Sequence, residues 1–255
     1  MGDIDIAPLA FSVVLSIVCV AAIGLKSKSL VHLDNPSFTS FFQGTIRFNT
    51  YVAIAAASAL WGQPGLVLIS VCVAFGVPFV NVLCVVVMET YGAKELKNDD
   101  LPRLKPILKS VFKNPLILAC ILGMSMNALN VTFPPIAAPF IEILARAALP
   151  IGLLCVGAGL SLSSLHKVGH GVVYANLLKL VILPLVTYTA CTAFDVQGLT
   201  RDICVFFAGL PVAAASYVLA RQMGGNTEMM AAIVTTTSLF SMPTLPAIIL
   251  ILSWL

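Results

Sequence analysis

Charged side chains are scarce in this sequence. Asp, Glu, Lys and Arg make up 10% of its 255 residues, whereas 59% of the residues are hydrophobic and the mean hydropathy is +1.02. So few polar side chains cannot cover a globule in water, which excludes an ordinary soluble domain and indicates an integral membrane protein in a lipid bilayer. The net charge of +3 is small and its cations lie in short loops, so we expect no nucleic-acid partner.

The motifs of several enzyme classes are also missing. There is no HExxH, no G-x-S-x-G elbow and no pair of aspartates in neighbouring apolar runs, which argues against an intramembrane enzyme. A phosphate-binding G-x-x-x-x-G-K-[ST] loop is absent as well, so ATP is not the energy source within this chain. The seven cysteines fall inside apolar runs without paired spacing, which favours packing over metal ligation or disulfides. The sequence therefore predicts no cofactor and no metal.

Long apolar runs are what the sequence does contain. Residues 6–25 form an uncharged run of twenty, enough to cross a hydrocarbon core of roughly 30 Å at about 1.5 Å per residue. We expect a break in the third span at Gly76–Pro78, and kinks in the fifth at Pro139 and Pro150. The eight predicted spans, A to H, are 6–25, 38–61, 66–88, 116–129, 136–165, 172–194, 203–222 and 229–255.

The distribution of cations predicts how the spans are oriented. The loops A/B, C/D, E/F and G/H hold ten Lys and Arg residues, six of them in the long C/D loop, whereas the opposite loops hold only Arg201. By the positive-inside rule the first set of loops is cytoplasmic, which leaves both termini outside. We expect the protein in the cytoplasmic (inner) membrane.

A weak internal repeat is visible in the order of the spans. FGVP at 75–78 in span C and FSMP at 240–243 in span H each follow a glycine-bearing turn, at Gly62 and at Gly224–Gly225. Spans A, B and C thus correspond to F, G and H, and the topology above makes each pair run in opposite directions. Inverted repeats with helices broken near the bilayer midplane are typical of secondary transporters.

Two segments carry a resemblance to a known family. KNPLILACILGMSMNALNVTFPP (113–135) and EILARAALPIGLLCVGAGLSL (142–162) resemble the auxin efflux carrier family of membrane transport proteins, which includes bacterial permeases described as malonate transporters. The resemblance implies a ten-helix fold of two inverted halves, similar to bile acid sodium symporters, in which spans four and nine are broken and cross. Span A resembles the family's third span. Residues 1–91 are then three spans of the first repeat lacking two, 92–114 a cytoplasmic basic loop, and 115–255 the five spans of the second repeat.

The resemblance also predicts a site. It aligns Asn49 and Thr50 with the crossover of the family's fourth span and Pro211 with that of its ninth. Broken helices leave unpaired N–H and C=O groups, and the positive helix N-termini favour an anion. We therefore expect a small organic anion between Asn49, Thr50, Pro211, Ser216 and Tyr217. The alternative is that Asn49 and Thr50 only hold neighbouring helices together through hydrogen bonds.

Several other polar residues lie within predicted spans. Lys179 is interpreted either as an anion-binding or protonatable group or as a cation that snorkels to the interface. Arg47 either draws an anionic substrate toward the site or snorkels to lipid headgroups, and of these two we expect snorkelling. Asn81, Asn127 and Asn176 are predicted to form inter-helix hydrogen bonds, with Asn81 also a candidate ligand because it follows the expected Pro78 break. The remaining predictions are an ion pair between Glu142 and Arg146, a solvated turn at His166 and His170, and a loop position for His32.

These observations favour a secondary active transporter that moves a small carboxylate by alternating access. The alternative is a truncated homologue or gene fragment that does not transport, and an intramembrane enzyme is the weaker third reading. Malonate-like dicarboxylates and auxin-like monocarboxylates both fit the predicted site, the sequence leaves proton or sodium coupling open, and homodimer assembly is open as well.

Overall fold

The regular elements of the structure are all helical in the ranges it describes. A computed structural model describes residues 6–92, 115–159 and 168–254, so most of the predicted basic loop, the end of span E and His166 lie outside the described residues. The helices are α1 Ile6–Lys26, α2 Lys28–Val31, α3 Asn35–Ile46, α4 Thr50–Tyr91, α5 Pro115–Ala128, α6 Ala137–Gly159, α7 His170–Leu177, α8 Leu183–Ala193, α9 Gly198–Gly209, α10 Ala215–Met223 and α11 Thr227–Leu252, with a π-helical segment Leu178–Ile182 between α7 and α8.

Helix α1 shows how an apolar run is sorted into a packed face and an outer face. Its buried residues include Leu9, Val13, Ile17 and Val20, spaced by three or four positions so that they form one stripe. The Ser12 hydroxyl within this helix donates to the Pro8 carbonyl at 2.8 Å. Such bonds back to the preceding turn satisfy a polar side chain without water, and Thr237 and Ser238 in α11 do the same.

Helix α4 is a hairpin of two arms that reverses at Gly62. This residue has φ +60° and ψ −142°, a conformation that glycine adopts far more readily than other residues. A Cβ atom on Gly65 would lie 2.8 Å from the Ala57 carbonyl oxygen, although eight residues of continuous helix span about 12 Å. Residues 50–61 and 63–91 therefore run antiparallel, as predicted for spans B and C.

The first break in a helix lies between α3 and α4. Helix α3 ends at Ile46, residues 47–49 are extended, and α4 begins at Thr50. The second break lies between α9, which ends at Gly209, and α10, which begins at Ala215. Both breaks fall where the sequence predicts interruptions, at Arg47 to Thr50 and at Pro211.

The ends of the helices beside the predicted cytoplasmic loops lie together. The Lys28 ammonium is 3.9 Å from the centre of the Tyr91 ring, and His170 Nε2 donates to the Val31 carbonyl at 2.9 Å. The Asn226 N–H donates to the Pro36 carbonyl at 3.0 Å. We call this end of the molecule the basic end. At the opposite end the Phe11 and Phe194 rings lie 6.1 Å apart.

The lengths of the helices fit a protein that crosses a bilayer. Among the described residues, four helical segments are long and apolar enough to do so: Ile6–Lys26, Asn35–Tyr91, His170–Ala193 and Thr227–Leu252. The second segment holds both predicted spans B and C, because it contains the Gly62 reversal. Predicted span G is not among these four segments, because it corresponds to two shorter helices, α9 and α10, of 12 and 9 residues. The protein is therefore an all-α integral membrane protein, and the eight-span count stays a prediction.

The expected break at Gly76–Pro78 is wrong. Helix α4 continues through these residues, and its non-helical position is Gly62. Helix α11 likewise continues through Pro243 and Pro246, so the two Phe-x-x-Pro motifs do not mark broken helices. A proline removes one hydrogen bond and tilts the helix locally, but a long membrane helix tolerates it when neighbouring groups satisfy the freed carbonyl.

Candidate functional site

The two helix breaks touch each other. The Asn49 N–H donates to the Pro211 carbonyl at 2.9 Å, which joins the first break to the second. The Val212 N–H in the second break donates to Thr237 Oγ1 on α11 at 3.2 Å. The broken backbone thus finds partners in another break or in a side chain, as apolar surroundings require. We call this meeting point the crossing.

Asn49 lies at the centre of the crossing and is fully buried. Its side-chain oxygen accepts from the Val52 N–H at 3.3 Å and so caps the N-terminus of α4. That bond fixes the orientation of the amide, because the oxygen must face the donor. The amide nitrogen Nδ2 is then left buried without a hydrogen-bond partner. It is a donor without an acceptor, beside the positive end of a helix.

Lys179 is a buried cation beside the crossing, with no exposed surface. It lies in the π-helical segment, where Leu178, Lys179 and Leu180 are all buried, just before Pro184. Its ammonium donates to the Ala208 carbonyl at 2.6 Å, in the last turn of α9. It also lies 4.2 Å from the centre of the Phe48 ring, in the first break. Lys179 therefore contacts the first break and the helix end that borders the second.

Arg47 is a second buried cation and is 5% exposed. Its Nη1 donates to Gln43 Oε1 at 3.0 Å and its Nη2 donates to Asn81 Oδ1 at 2.7 Å. Gln43 is one turn earlier on α3, whereas Asn81 is on the second arm of α4. The guanidinium therefore links the first break to the returning arm of the hairpin.

Two basic side chains are buried around the crossing. Arg47 and Lys179 are the buried charged side chains in the described residues, and no Asp or Glu is buried among those residues. Their hydrogen-bond partners are amide and backbone oxygens, which are neutral. Isolated buried charges are costly, so two cations without a carboxylate create a place that favours an anion.

Comparison with known families decides the class of this protein. A family model described as "Membrane transport protein" matches residues 2–249. The chain belongs to this family. The match confirms the resemblance to auxin efflux carriers that the sequence motifs indicated. It also confirms that the chain is a membrane transport protein.

A curated relative of this membrane transport protein carries a more specific name. The chain is 28% identical over 146 residues to a Rhizobium meliloti (strain 1021) protein named "Putative malonate transporter". The match covers 56% of this chain and 45% of the relative, so it spans less than half of the relative's length. Both names describe transport rather than an enzymatic reaction.

The structure brings some of the predicted site residues together and separates others. Asn49 and Pro211 are hydrogen-bonded at the crossing, and Thr50 is the half-buried first residue of α4. Ser216 is fully buried, and its hydroxyl has no hydrogen-bond partner. Tyr217 is 38% exposed and lies on the outer face of α10, so its side chain is not buried as that of Ser216 is. Neighbouring residues of a helix point in different directions, which separates Ser216 from Tyr217.

The expectation that Arg47 snorkels is wrong, and so is the snorkelling alternative for Lys179. Both side chains are buried inside the protein and make short hydrogen bonds there. Snorkelling requires that a side chain lies on the lipid-facing side of its helix. The extended backbone at Arg47 and the π-helical segment at Lys179 direct these residues inward instead.

The other polar residues fill mostly structural positions. Asn176 accepts a hydrogen bond from Thr236 on α11 at 3.2 Å, and Asn81 bonds to Arg47, so both make the predicted inter-helix contacts. Asn127 is exposed instead. Glu142 and Arg146 form the predicted ion pair at 2.6 Å, and His32 lies in a turn. His170 differs from the expected solvated turn, because it is the first residue of α7 and bonds to Val31.

Three contacts of this region were missed by sequence reasoning. Gln43 holds Arg47, Phe48 stacks on Phe207 with ring centres 4.3 Å apart, and Thr237 binds the second break. Gln43 could have been found, because it precedes Arg47 by four residues and is the one amide in α3 besides its first residue. The partners of Phe48 and Thr237 are too distant in sequence for any local pattern to reveal them.

A separate cavity of about 470 Å³ lies at the end of the molecule opposite the basic end. Tyr188, Asp195, Gln197 and Arg201 are among the residues that line it. Arg201 is paired with Asp202 at 3.0 Å, and Gln197 donates to the Asp195 carboxylate. The Arg201 charge at this cavity is therefore already compensated by Asp202, whereas Arg47 and Lys179 at the crossing have no carboxylate partner among the described residues.

Proposed function

We propose that this membrane transport protein is a secondary active transporter that moves a small organic anion by alternating access. The anion binds at the crossing, near Asn49 Nδ2, Ser216 Oγ and the Lys179 ammonium. The observation that carries this proposal is the pair of buried basic side chains, without a carboxylate partner among the described residues, around two helix breaks that touch. The cost of burying an ion is several kcal/mol, and an anionic ligand supplies the opposite charge that the described residues lack.

A carboxylate suits this environment better than a neutral substrate. Its oxygens accept hydrogen bonds and carry the charge, whereas Asn49 Nδ2 and the ammonium can only donate. The N-terminus of α4 at Thr50 adds a partial positive charge next to the same position. The name of the Rhizobium relative supports a carboxylate as the class of substrate.

The proposal includes the orientation of the protein and the source of its energy. The basic end faces the cytoplasm, because ten of the fourteen Lys and Arg residues lie in loops predicted for that side. Both termini then face outward, and a proton or sodium gradient drives the flux. The crossed spans B and G move with spans C, F and H against spans D and E, so that the crossing opens alternately to each side.

Uptake into proteoliposomes tests this function. We expect saturable uptake of at least one radiolabelled carboxylate from a panel of malonate, succinate, acetate and indole-3-acetate, with the proton and sodium gradients imposed separately. Empty liposomes are the control for leakage, and excess unlabelled substrate must compete with the label. Failure to bind or transport any member of the panel by folded, correctly inserted protein would overturn the proposal and favour a homologue that does not transport.

A further inference from the structure

Arg47 and its two amide partners form a group distinct from the Lys179 side of the crossing. Arg47 has φ −78° and ψ 149°, an extended conformation in which successive side chains point to opposite sides. The next residue, Phe48, lies against Phe207 and under the Lys179 ammonium. The Arg47 side chain instead reaches Gln43 and Asn81, so the two basic side chains have no hydrogen-bond partner in common.

The hydrogen bonds of this group leave donors without acceptors. A guanidinium only donates, so the oxygens of the Gln43 and Asn81 amides must face Arg47 and their NH₂ groups must point away from it. Gln43 is fully buried and Asn81 is 2% exposed, yet Gln43 Nε2 and Asn81 Nδ2 have no hydrogen-bond partner. The guanidinium has five N–H groups, and three of them are left after the hydrogen bonds to Gln43 and Asn81. These unused donors need a hydrogen-bond acceptor with several lone pairs, and the group does not contain one.

A purely structural role does not account for this pattern. Lys179 donates to a carbonyl in the last turn of α9, which is where a cation stabilises a helix end. Arg47 instead binds side-chain amides, and the Gln43 carbonyl of its own helix is taken by the Arg47 backbone N–H. Buried amide groups that serve only to hold helices together normally have all their hydrogen bonds made. Two orphan amide donors beside one guanidinium instead supply the kind of donors that a carboxylate accepts from.

The position of the group places it on the basic-end side. Asn81 precedes Tyr91, at the basic end, by ten residues or about 15 Å of helix, and follows the Gly62 reversal by nineteen residues or about 28 Å. We propose that Arg47, Gln43 and Asn81 form a second carboxylate-binding station, which the transported anion occupies between the basic end and the crossing. This inference rests on the proposed function, since the anion is the one that the protein transports.

Substitution of Asn81 by aspartate tests the station directly. In Asn81→Asp the new carboxylate keeps the hydrogen bond to Arg47, and the orphan amide donor is gone. The aspartate is also a fixed anion in the place that the transported carboxylate would occupy. We expect the thermal midpoint of the purified full chain to stay the same or rise, because Arg47 gains an ion pair. Equilibrium binding of radiolabelled malonate should weaken at least about tenfold, as expected for the loss of charge-assisted hydrogen bonds to a carboxylate.

Two companion variants separate charge from packing. Gln43→Glu places a carboxylate on the other side of the same guanidinium, so it should reproduce the loss, and it decides the question if Asn81→Asp fails to fold. Asn81→Ser removes the amide donor without adding charge, so it should weaken malonate binding by about tenfold, clearly less than Asn81→Asp, which also places a repulsive charge in the station. Wild-type binding in both acidic variants, or equal losses in Asn81→Asp and Asn81→Ser, would overturn the station.

The outcomes also separate this inference from the proposed function. If the wild-type chain transports malonate or another carboxylate and Asn49→Ala reduces that transport about tenfold or more, the function stands whatever the acidic variants do. Normal binding and transport in Asn81→Asp and Gln43→Glu would then remove only the station at Arg47. If the wild-type chain neither binds nor transports any carboxylate of the panel, the proposed function fails and the station fails with it.

Discussion

Replacing Asn49 with alanine is expected to reduce carboxylate uptake about 10- to 100-fold at unchanged abundance in the membrane. The substitution removes Nδ2, the buried donor at the crossing, and a hydrogen bond to a charged group contributes roughly 1.5–3 kcal/mol. It also removes the cap that accepts from the Val52 N–H, which costs about 1 kcal/mol of stability. Initial rates of uptake into proteoliposomes, normalised to reconstituted protein, measure the first effect, and thermal unfolding in detergent measures the second.

Two further variants separate these effects. In Asn49→Asp the side chain still caps α4, because aspartate is an equally good N-cap residue, but a negative oxygen replaces the donor. We expect Asn49→Asp to be inactive although it keeps the stability that Asn49→Ala loses. Asn176→Ala removes another buried amide, whose partner Thr236 is on α11, and should transport within about threefold of wild type. Wild-type uptake by Asn49→Ala would show that the Asn49 side chain only caps α4.

Replacing Lys179 with methionine is expected to abolish uptake, with a loss of about 100-fold or more, and to leave the protein stable. The ammonium is fully buried without a carboxylate, so methionine of similar length removes a costly charge and fills the same volume. The lost hydrogen bond to the Ala208 carbonyl acts in the opposite direction. The two effects nearly cancel, and we expect the thermal midpoint to change by less than about 4 °C.

A charge-retaining variant completes this test. Lys179→Arg keeps the cation near Phe48 and the end of α9, so it should recover part of the uptake that Lys179→Met loses. Binding of radiolabelled carboxylate to the purified variants shows whether the loss lies in recognition of the anion. A Lys179→Met protein that transports at the wild-type rate would mean that the ammonium serves only the C-terminus of α9.

The parts of the fold that follow from local sequence were predicted well. The run 6–25 became helix α1, Ile6–Lys26, because an uncharged run of that length has few alternatives in a membrane. The glycine at position 62 marks the reversal of α4 because glycine adopts the required positive φ more readily than other residues. The two helix breaks were predicted through the family resemblance, and composition alone would not have located them. The inverted repeat and the division into two halves remain predictions.

The failures of sequence reasoning have a common physical cause. Pro78 and Pro243 looked like the sites of broken helices, but whether a proline interrupts a helix depends on neighbouring groups that its own sequence does not show. Arg47 and Lys179 were identified as polar intrusions, yet their burial depends on which way the backbone turns at an extended break and in a π-helical segment. The separation of Ser216 from Tyr217 likewise depends on the helical phase after a break.

The central claim is that the transported anion binds where the two helix breaks meet. Its location can be determined from an experimental structure of the full chain in lipid nanodiscs with a saturating concentration of the carboxylate that the uptake panel identifies. The account predicts density for the carboxylate within hydrogen-bonding distance of Asn49 Nδ2 and Ser216 Oγ. A bound carboxylate in the cavity lined by Tyr188 and Arg201, with none at the crossing, would contradict it.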